Sequence, residues 1–263
     1  MRIHSPPARP ALALLFAALL AASACGGDGP ASPAEQLSER RETEHFVFHY
    51  AAGDQVYSDW QEAYHAWLLS TWNVALTRKI EYFKYRDRAH KRSVMGVDGN
   101  GIAYPDRYEV HTIWPNDNHE TVHVVVIAAI GSGPAFFDEG VAVAFHVDPV
   151  AGNLVPRWGN RSVHDIAREM WQQGRVPPLE QLIASESSFR GFEDGLSYPL
   201  AGSFVRFLVD TRGLETVKRI FREMRRADGG AAVRTKFRAI FGAELDAVWD
   251  EWRLYVTTGA APA

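Results

Sequence analysis

The chain has 263 residues, of which 46% are hydrophobic and 12% aromatic, so it can fold around a substantial core. Its formal net charge of −4 at pH 7, with no dominant basic patch, argues against a dedicated nucleic-acid-binding protein. Its single cysteine excludes an intramolecular disulfide.

The N-terminus has the pattern of a targeting sequence. Basic residues precede an apolar run over residues 11–22, which is too short to be a stable membrane anchor. The small residues Ala22-Ser23-Ala24 and then Cys25 follow, which resembles the bacterial lipobox, although Ala22 stands where that motif usually carries Leu. We predict a signal peptide over residues 1–25 with a lipid attached to Cys25. Cleavage by an ordinary signal peptidase is the alternative.

Residues 26–42 begin with a stretch rich in Gly, Pro, Ala and Ser, which predicts a flexible tether. The folded domain is then expected over residues 43–263. We expect the protein in the bacterial cell envelope, anchored to a membrane through Cys25 and facing the periplasm or the exterior, with secretion as the alternative. The sequence gives no indication of the oligomeric state.

The domain itself begins with strands and continues with helices, an order that predicts an α+β fold. Alternating or β-rich runs predict strands at residues 45–50, 79–85 and 108–113. An edge strand before the central helix could pair with an extended peptide, and either residues 101–104 or residues 108–113 could supply it. Helical patterns are predicted at residues 55–76, 135–146, 163–172, 204–210, 214–224, 231–241 and 245–255. The aromatic face of the first of these helices is predicted to be core, and His65 on the same helix is given no role.

The central motif is His119-Glu120-Thr121-Val122-His123, which reads H-E-x-x-H. On a helix, residues four apart lie on one face, so both imidazoles can reach one metal ion with Glu120 beside the metal-bound water. Asp117 and Glu120 have the spacing of a capping box at the start of this helix. The alternative is that Glu120 only caps the helix and the two histidines are ordinary surface residues.

A second carboxylate follows on the next predicted helix. Glu139 is placed to return to the metal and complete a His, His and Glu set, which leaves a fourth position for water, as in catalytic zinc sites. The alternative is a solvated helix residue, against which the apolar neighbours of Glu139 on both sides argue.

The two motifs together, His119 to His123 and Phe136-Phe137-Asp138-Glu139-Gly140-Val141-Ala142, resemble the gluzincin zinc metallopeptidases, specifically the bacterial peptidase-MA-like domains. Weaker resemblances lie at residues 43–50, 176–182, 198–205 and 241–252. The resemblance implies a zincin-like fold with an N-terminal mixed lobe over about residues 43–131 and a helical lobe over about residues 132–257. The metal helix would lie between the two lobes.

The resemblance also implies roles. His119, His123 and Glu139 would bind one Zn²⁺ per chain, and Glu120 would accept a proton from the metal-bound water. Tyr198 would donate a hydrogen bond to the oxyanion of the reaction, although a tyrosine before a proline is also an ordinary aromatic at a helix start.

The implied function is a zinc-dependent metallopeptidase of the cell envelope that acts on a peptide or protein substrate. The Gly-x-Met-Glu-Asn stretch of gluzincin aminopeptidases is absent from the sequence, which favours an endopeptidase. Two alternatives stay open: a non-catalytic, lipid-anchored module that binds peptide or protein, and a hydrolase of a non-peptide amide.

One departure concerns the groups that orient the metal-binding imidazoles. Val143 stands four residues after Glu139, where some relatives carry a carboxylate. Asp117, Asp138 and His146 are candidates for this orienting role, and the sequence assigns none of them.

Overall fold

A mixed sheet followed by a series of helices makes up the computed structural model of the protein, which describes residues 32–259. The α+β class is therefore confirmed. The predicted signal peptide and Cys25 lie outside the described residues. The strands are β1 (Glu39–Glu42), β2 (Phe46–Tyr50), β3 (Ile80–Lys84), β4 (Gly101–Tyr104), β5 (Glu109–Thr112), β6 (Arg157–Trp158) and β7 (Arg161–Ser162).

The helices of the described residues agree with most of the predicted ones within a few residues. They are α1 (Pro33–Gln36), α2 (Ser58–Trp72), α3 (Arg88–Met95), α4 (Asn118–Ala129), α5 (Ala135–Ala144), α6 (Val163–Gln172), α7 (Leu179–Ile183), α8 (Glu186–Arg190), α9 (Asp194–Arg212), α10 (Leu214–Glu223), α11 (Gly230–Phe241) and α12 (Leu245–Thr258). Of these, none is long and apolar enough to span a membrane within the part of the chain described.

The main sheet has the strand order β1-β2-β3-β5-β4. The three central strands are parallel, while β1 and β4 pair antiparallel at the two edges. The sequence left two segments open as the edge strand beside the central helix. The structure places residues 101–104 at that edge, because β5 has neighbours on both sides.

The last part of the predicted tether is ordered, so that prediction is wrong for these residues. Ser32 and Glu35 form a capping box that starts α1, and Leu37 is buried. β1 then pairs with β2. All four residues of β1 are exposed and charged, which suits a protected edge strand but hides its β character in the sequence.

The main core lies among the helices, and a smaller one lies between the sheet and α4. Tyr64, Leu68 and Trp72 of α2 are fully buried, which confirms that this part of its aromatic face is core, whereas Tyr57 precedes the helix and is half exposed. The basic helix α3 was not predicted, because its residues show no apolar periodicity.

Helix α5 is buried along its whole length and packs closely on α9. A Cβ atom on Gly140 would lie 2.7 Å from Val205 Cγ2 and 2.9 Å from the carbonyl oxygen of Ala201. One on Gly202 would overlap Val143. The two glycines therefore permit the close approach that holds α5, and with it Glu139, in a fixed position.

Helix α9 begins earlier than the sequence indicated. It starts at Asp194 after the N-cap Glu193, so Tyr198 and Pro199 lie inside the helix and not at its first turn. The alternative interpretation, in which Tyr198 is an ordinary aromatic residue at a helix start, is therefore wrong.

Candidate metal centre

Helix α4 starts at Asn118, and its N-cap is Asp117, whose carboxylate accepts a hydrogen bond from the Glu120 backbone N–H at 3.0 Å. The second half of the predicted capping box is not formed. The Asp117 N–H donates to Gln61 Oε1 at 3.0 Å. The side chain of Glu120 is thus not used for capping.

The two histidines of α4 and the glutamate of α5 converge in what we call the central cluster: His119, His123 and Glu139. Each imidazole Nε2 lies 3.2 Å from the same oxygen, Glu139 Oε2. Ligand atoms about 2.0–2.1 Å from a tetrahedral zinc ion are separated by about 3.3 Å. The spacing and the donor set therefore fit one zinc ion.

The electrostatics of the central cluster favour a cation. Burial alone raises the pKa of Glu139, but His123 and His119 outweigh it and hold that pKa well below its usual range. Burial alone lowers the pKa of His123, but Glu139 raises it by more, so the net shift of the pKa is upward. An ionised carboxylate is thus held between two imidazoles, and a metal ion that binds there would displace the proton that Glu139 favours on His123.

Arg190, on α8, also contacts the central cluster. Arg190 Nη2 donates to Glu139 Oε1 at 2.7 Å, and Arg190 Nη1 donates to the Tyr198 hydroxyl at 2.9 Å. Its Nε donates to Glu186 Oε1 at 3.0 Å. Sequence reasoning missed Arg190, because this contact joins residues far apart in the chain and belongs to no local motif.

Tyr198 lies beside the central cluster. Its ring stacks on that of His119, with centroids 6.1 Å apart and an interplanar angle of 26°. Burial raises the pKa of Tyr198, so the phenol stays protonated. Because its oxygen accepts from Arg190, its own O–H proton is available to another acceptor.

The outer nitrogens of the imidazoles lack the partners that the sequence suggested. His119 Nδ1 is buried with no hydrogen-bond partner among the described residues. Asp117 is occupied as the cap, and Asp138 Oδ1 accepts from the Gly133 N–H at 2.7 Å. His146 lies beyond the end of α5 at Ala144, so the prediction that this helix continues to residue 146 is wrong.

Glu120 and the central cluster line one cleft of about 1160 Å³. A Cβ on Gly101 would overlap the Glu120 carboxylate, so the backbone of β4 approaches this side chain closely. Burial, helped by Asp117 and Glu139, raises the pKa of Glu120 to about 8. A cation held by the cluster would lower this pKa.

Two aromatic residues complete the cleft near the cluster. Trp158, at the end of β6, lies 5.4 Å from Tyr198 and 6.5 Å from His119 between ring centroids. Trp114 also lines the cleft and is half exposed. The sequence did not single out either tryptophan, because neither lies in a recognisable motif.

Comparisons with protein-family models, with curated proteins and with solved structures find no match to this chain. The function must therefore be inferred from the residues of the site and their geometry.

Proposed function

We propose that the protein is a zinc-dependent metallopeptidase with a zincin-like fold. The observation that supports it most strongly is the convergence of His119 Nε2 and His123 Nε2 on one oxygen of Glu139, each at 3.2 Å, in an open cleft. These three residues would hold one zinc ion. Zinc bound in this way supplies a Lewis acid that polarises a carbonyl group and lowers the pKa of water towards about 7.

In this proposal Glu120 is the general base. Its carboxylate is not used to cap α4, and it faces the cleft close to the backbone of β4. Peptide hydrolysis forms a bond between the water oxygen and the carbonyl carbon and breaks the carbon–nitrogen bond. Glu120 accepts one proton from the water and returns it to the departing amine nitrogen.

Tyr198 and Arg190 would stabilise the charge that develops on the carbonyl oxygen. The Tyr198 O–H is free to donate, because Arg190 already donates to the phenol oxygen at 2.9 Å. Arg190 also holds the second oxygen of Glu139. One guanidinium thus fixes both the candidate ligand and the candidate oxyanion donor.

The edge strand β4 supports a peptide as the substrate. Residues 101–103 line the cleft, and β4 has a strand neighbour on one side only. An extended peptide can add to this edge through backbone hydrogen bonds, which places its carbonyl groups near Glu120. With the Gly-x-Met-Glu-Asn stretch absent from the sequence, we propose an endopeptidase, held in the cell envelope through Cys25.

Two observations favour a second candidate, a non-catalytic module that binds peptide or protein in the same cleft. His119 Nδ1 has no outer partner within residues 32–259, although metal-binding histidines usually have one. Arg190 also places a positive charge against Glu139. Both features would suit a cleft that keeps its shape without binding metal.

The test is to measure peptide hydrolysis and zinc content of the purified protein beside Glu120→Gln and His123→Ala. We expect Glu120→Gln to lose about 10²- to 10⁴-fold in hydrolysis while it keeps its zinc, because only the general base is removed. His123→Ala should lose both the hydrolysis and the zinc of the central cluster. The exposed Glu180→Gln is the matched control and should behave as the parent.

The outcomes separate the two candidates. A parent protein that carries zinc in the central cluster but cleaves nothing in a broad peptide library would exclude the peptidase and leave the binding module. A central cluster that takes up no zinc even after reconstitution would exclude zinc catalysis altogether.

A further inference from the structure

A second group of metal-ligating side chains lies where β2 meets α2. His45 immediately precedes β2, and Glu62 and His65 lie on α2. One donor atom from each of the three lies within 4.8 Å of the others. We call this group the junction cluster. None of its three residues lines the cleft that contains the central cluster.

His65 is the residue that points to a ligand. Its side chain is almost completely buried, with 1% exposure, and neither of its ring nitrogens has a hydrogen-bond partner among the described residues. Buried polar groups without a partner are rare in folded proteins. Glu62 and His65 are three residues apart on α2, so they share one face of the helix and can reach one ion.

The other two members are held close to His65. His45 Nδ1 lies 2.7 Å from Glu62 Oε2, and the His45 backbone N–H donates to Glu62 Oε1 at 2.7 Å. The His45 and His65 rings are tilted with their centroids 4.9 Å apart. One ring nitrogen of His65 therefore lies within 4.8 Å of a carboxylate that is already fixed in place.

The charge state of the junction cluster also suits a cation. Burial lowers the pKa of His65 to about 4, so the imidazole is neutral and its lone pair is available at pH 7. Burial alone raises the pKa of Glu62, but hydrogen bonds from Thr43 and His45 outweigh it, so the carboxylate stays ionised.

We propose that His45, Glu62 and His65 form a second metal site, which ties the start of β2 to α2. Two imidazoles and one carboxylate favour Zn²⁺ or a similar borderline divalent ion over Ca²⁺ or Mg²⁺. The His45 and Glu62 side chains are 38% and 21% exposed, so an ion can enter from solvent and keep water as its remaining ligand. The proposal does not depend on the proposed peptidase activity.

Metal binding requires a small local change. The 2.7 Å between His45 Nδ1 and Glu62 Oε2 is a hydrogen-bond length, whereas two ligands of one tetrahedral zinc lie about 3.3 Å apart. The ion would therefore replace the shared proton and separate the two side chains by about half an ångström. The His45 carbonyl accepts a hydrogen bond from the Ile80 N–H of β3 at 2.8 Å, so the shift would have to be taken up by the side chains.

The test uses the full chain with His119→Ala and His123→Ala, which disables the central cluster. We expect this protein to bind about one Zn²⁺ and its melting temperature to rise when ZnCl2 is added, because the ion binds only the folded state. Adding His65→Leu should abolish both the bound zinc and the rise. Glu62→Gln is a second variant with the same expected loss, and His90→Leu, a histidine outside both clusters, should change neither.

The metal-free melting temperatures guard against a simple loss of folding. Leucine at position 65 replaces two unpartnered nitrogens with an apolar side chain, so the metal-free variant should melt near its parent. A central-cluster variant that binds no zinc overturns the proposal. So does zinc binding that survives both His65→Leu and Glu62→Gln. Because the central cluster is already disabled, either outcome leaves the proposed peptidase untouched.

Discussion

The central cluster and the junction cluster contain the same donor set, two histidines and one glutamate, but their surroundings differ. In the central cluster both His–Glu contacts are 3.2 Å, which already matches the spacing of two zinc ligands. In the junction cluster the His45–Glu62 contact is a 2.7 Å hydrogen bond. The central cluster also has Glu120, Tyr198 and a cleft beside it. The donor set therefore predicts metal binding, whereas the neighbouring groups determine whether a bound metal could take part in hydrolysis.

The two clusters also differ in how the chain builds them. The central cluster joins α4 to the fully buried α5, and Arg190 adds a contact from α8. The junction cluster needs only one helix and the residue before β2. Two members of the junction cluster, His45 and Glu62, are also more exposed, at 38% and 21%, although His65 is buried. The central His119, His123 and Glu139 side chains are 15%, 11% and 7% exposed. We therefore expect a chelator to empty the junction cluster first.

The largest expected effect within this comparison is that of Tyr198→Phe. It keeps the ring that stacks on His119 but removes the hydroxyl, so kcat for peptide hydrolysis should fall by about 10²- to 10³-fold. The zinc content of both clusters should not change. Steady-state kinetics and elemental analysis measure the two quantities.

Tyr255→Phe, which removes a phenol from the far helix α12, is the control and should keep full activity. If Tyr198→Phe retained the parental kcat, Tyr198 would only pack against the cluster, and Arg190 would be the remaining candidate donor to the oxyanion.

An intermediate effect is expected for Arg190→Met, which distinguishes the clusters by their metal affinity. Loss of the 2.7 Å contact to Glu139 Oε1 should weaken zinc binding in the central cluster by about 10- to 100-fold, because the carboxylate is no longer oriented. The junction cluster should bind as before. Competition with a chromophoric chelator measures both affinities.

Arg226→Met is the matched control, because Arg226 pairs with Glu186 but makes no hydrogen bond to Glu139. Tighter zinc binding by Arg190→Met would contradict the prediction. It would mean that the guanidinium competes with the ion for Glu139.

The sequence was most informative where the geometry is local. His119 and His123 are brought together by the helix alone, so their spacing was sufficient to predict that the two imidazoles lie close together. The pairing of Glu139 with them needed the apolar context of α5 and the family resemblance. Arg190 could not be predicted, because a tertiary contact across many residues brings it to Glu139.

The junction cluster also depends on a contact between residues that are distant in the sequence. The Glu62–His65 spacing was visible in the sequence, but no functional role was predicted for His65. Its significance depends on His45, which the pairing of β2 with the sheet brings to the helix. Such a contact has no periodic signal that a sequence could show.

The smallest expected effect is that of Asp117→Ala, which tests whether the helix that carries two central ligands is held in place by its cap. The Asp117 carboxylate accepts from the Glu120 N–H at 3.0 Å, so its loss should cost about 1 kcal/mol in the free energy of unfolding. Tyr57→Ala is the control, because α2 has Tyr57 as its N-cap with no side-chain hydrogen bond. Urea denaturation of the metal-free protein measures both.

Repeating the urea denaturation with zinc present would show whether the cap affects one cluster or both. Frayed ends of α4 would displace His119, which lies in its first turn, so Asp117→Ala should weaken zinc binding in the central cluster and leave the junction cluster unchanged. Equal weakening at both clusters would show that the cap acts on the whole fold. It would then follow that the central cluster is not positioned by the start of α4, and that the packing of α5 on α9 fixes its geometry.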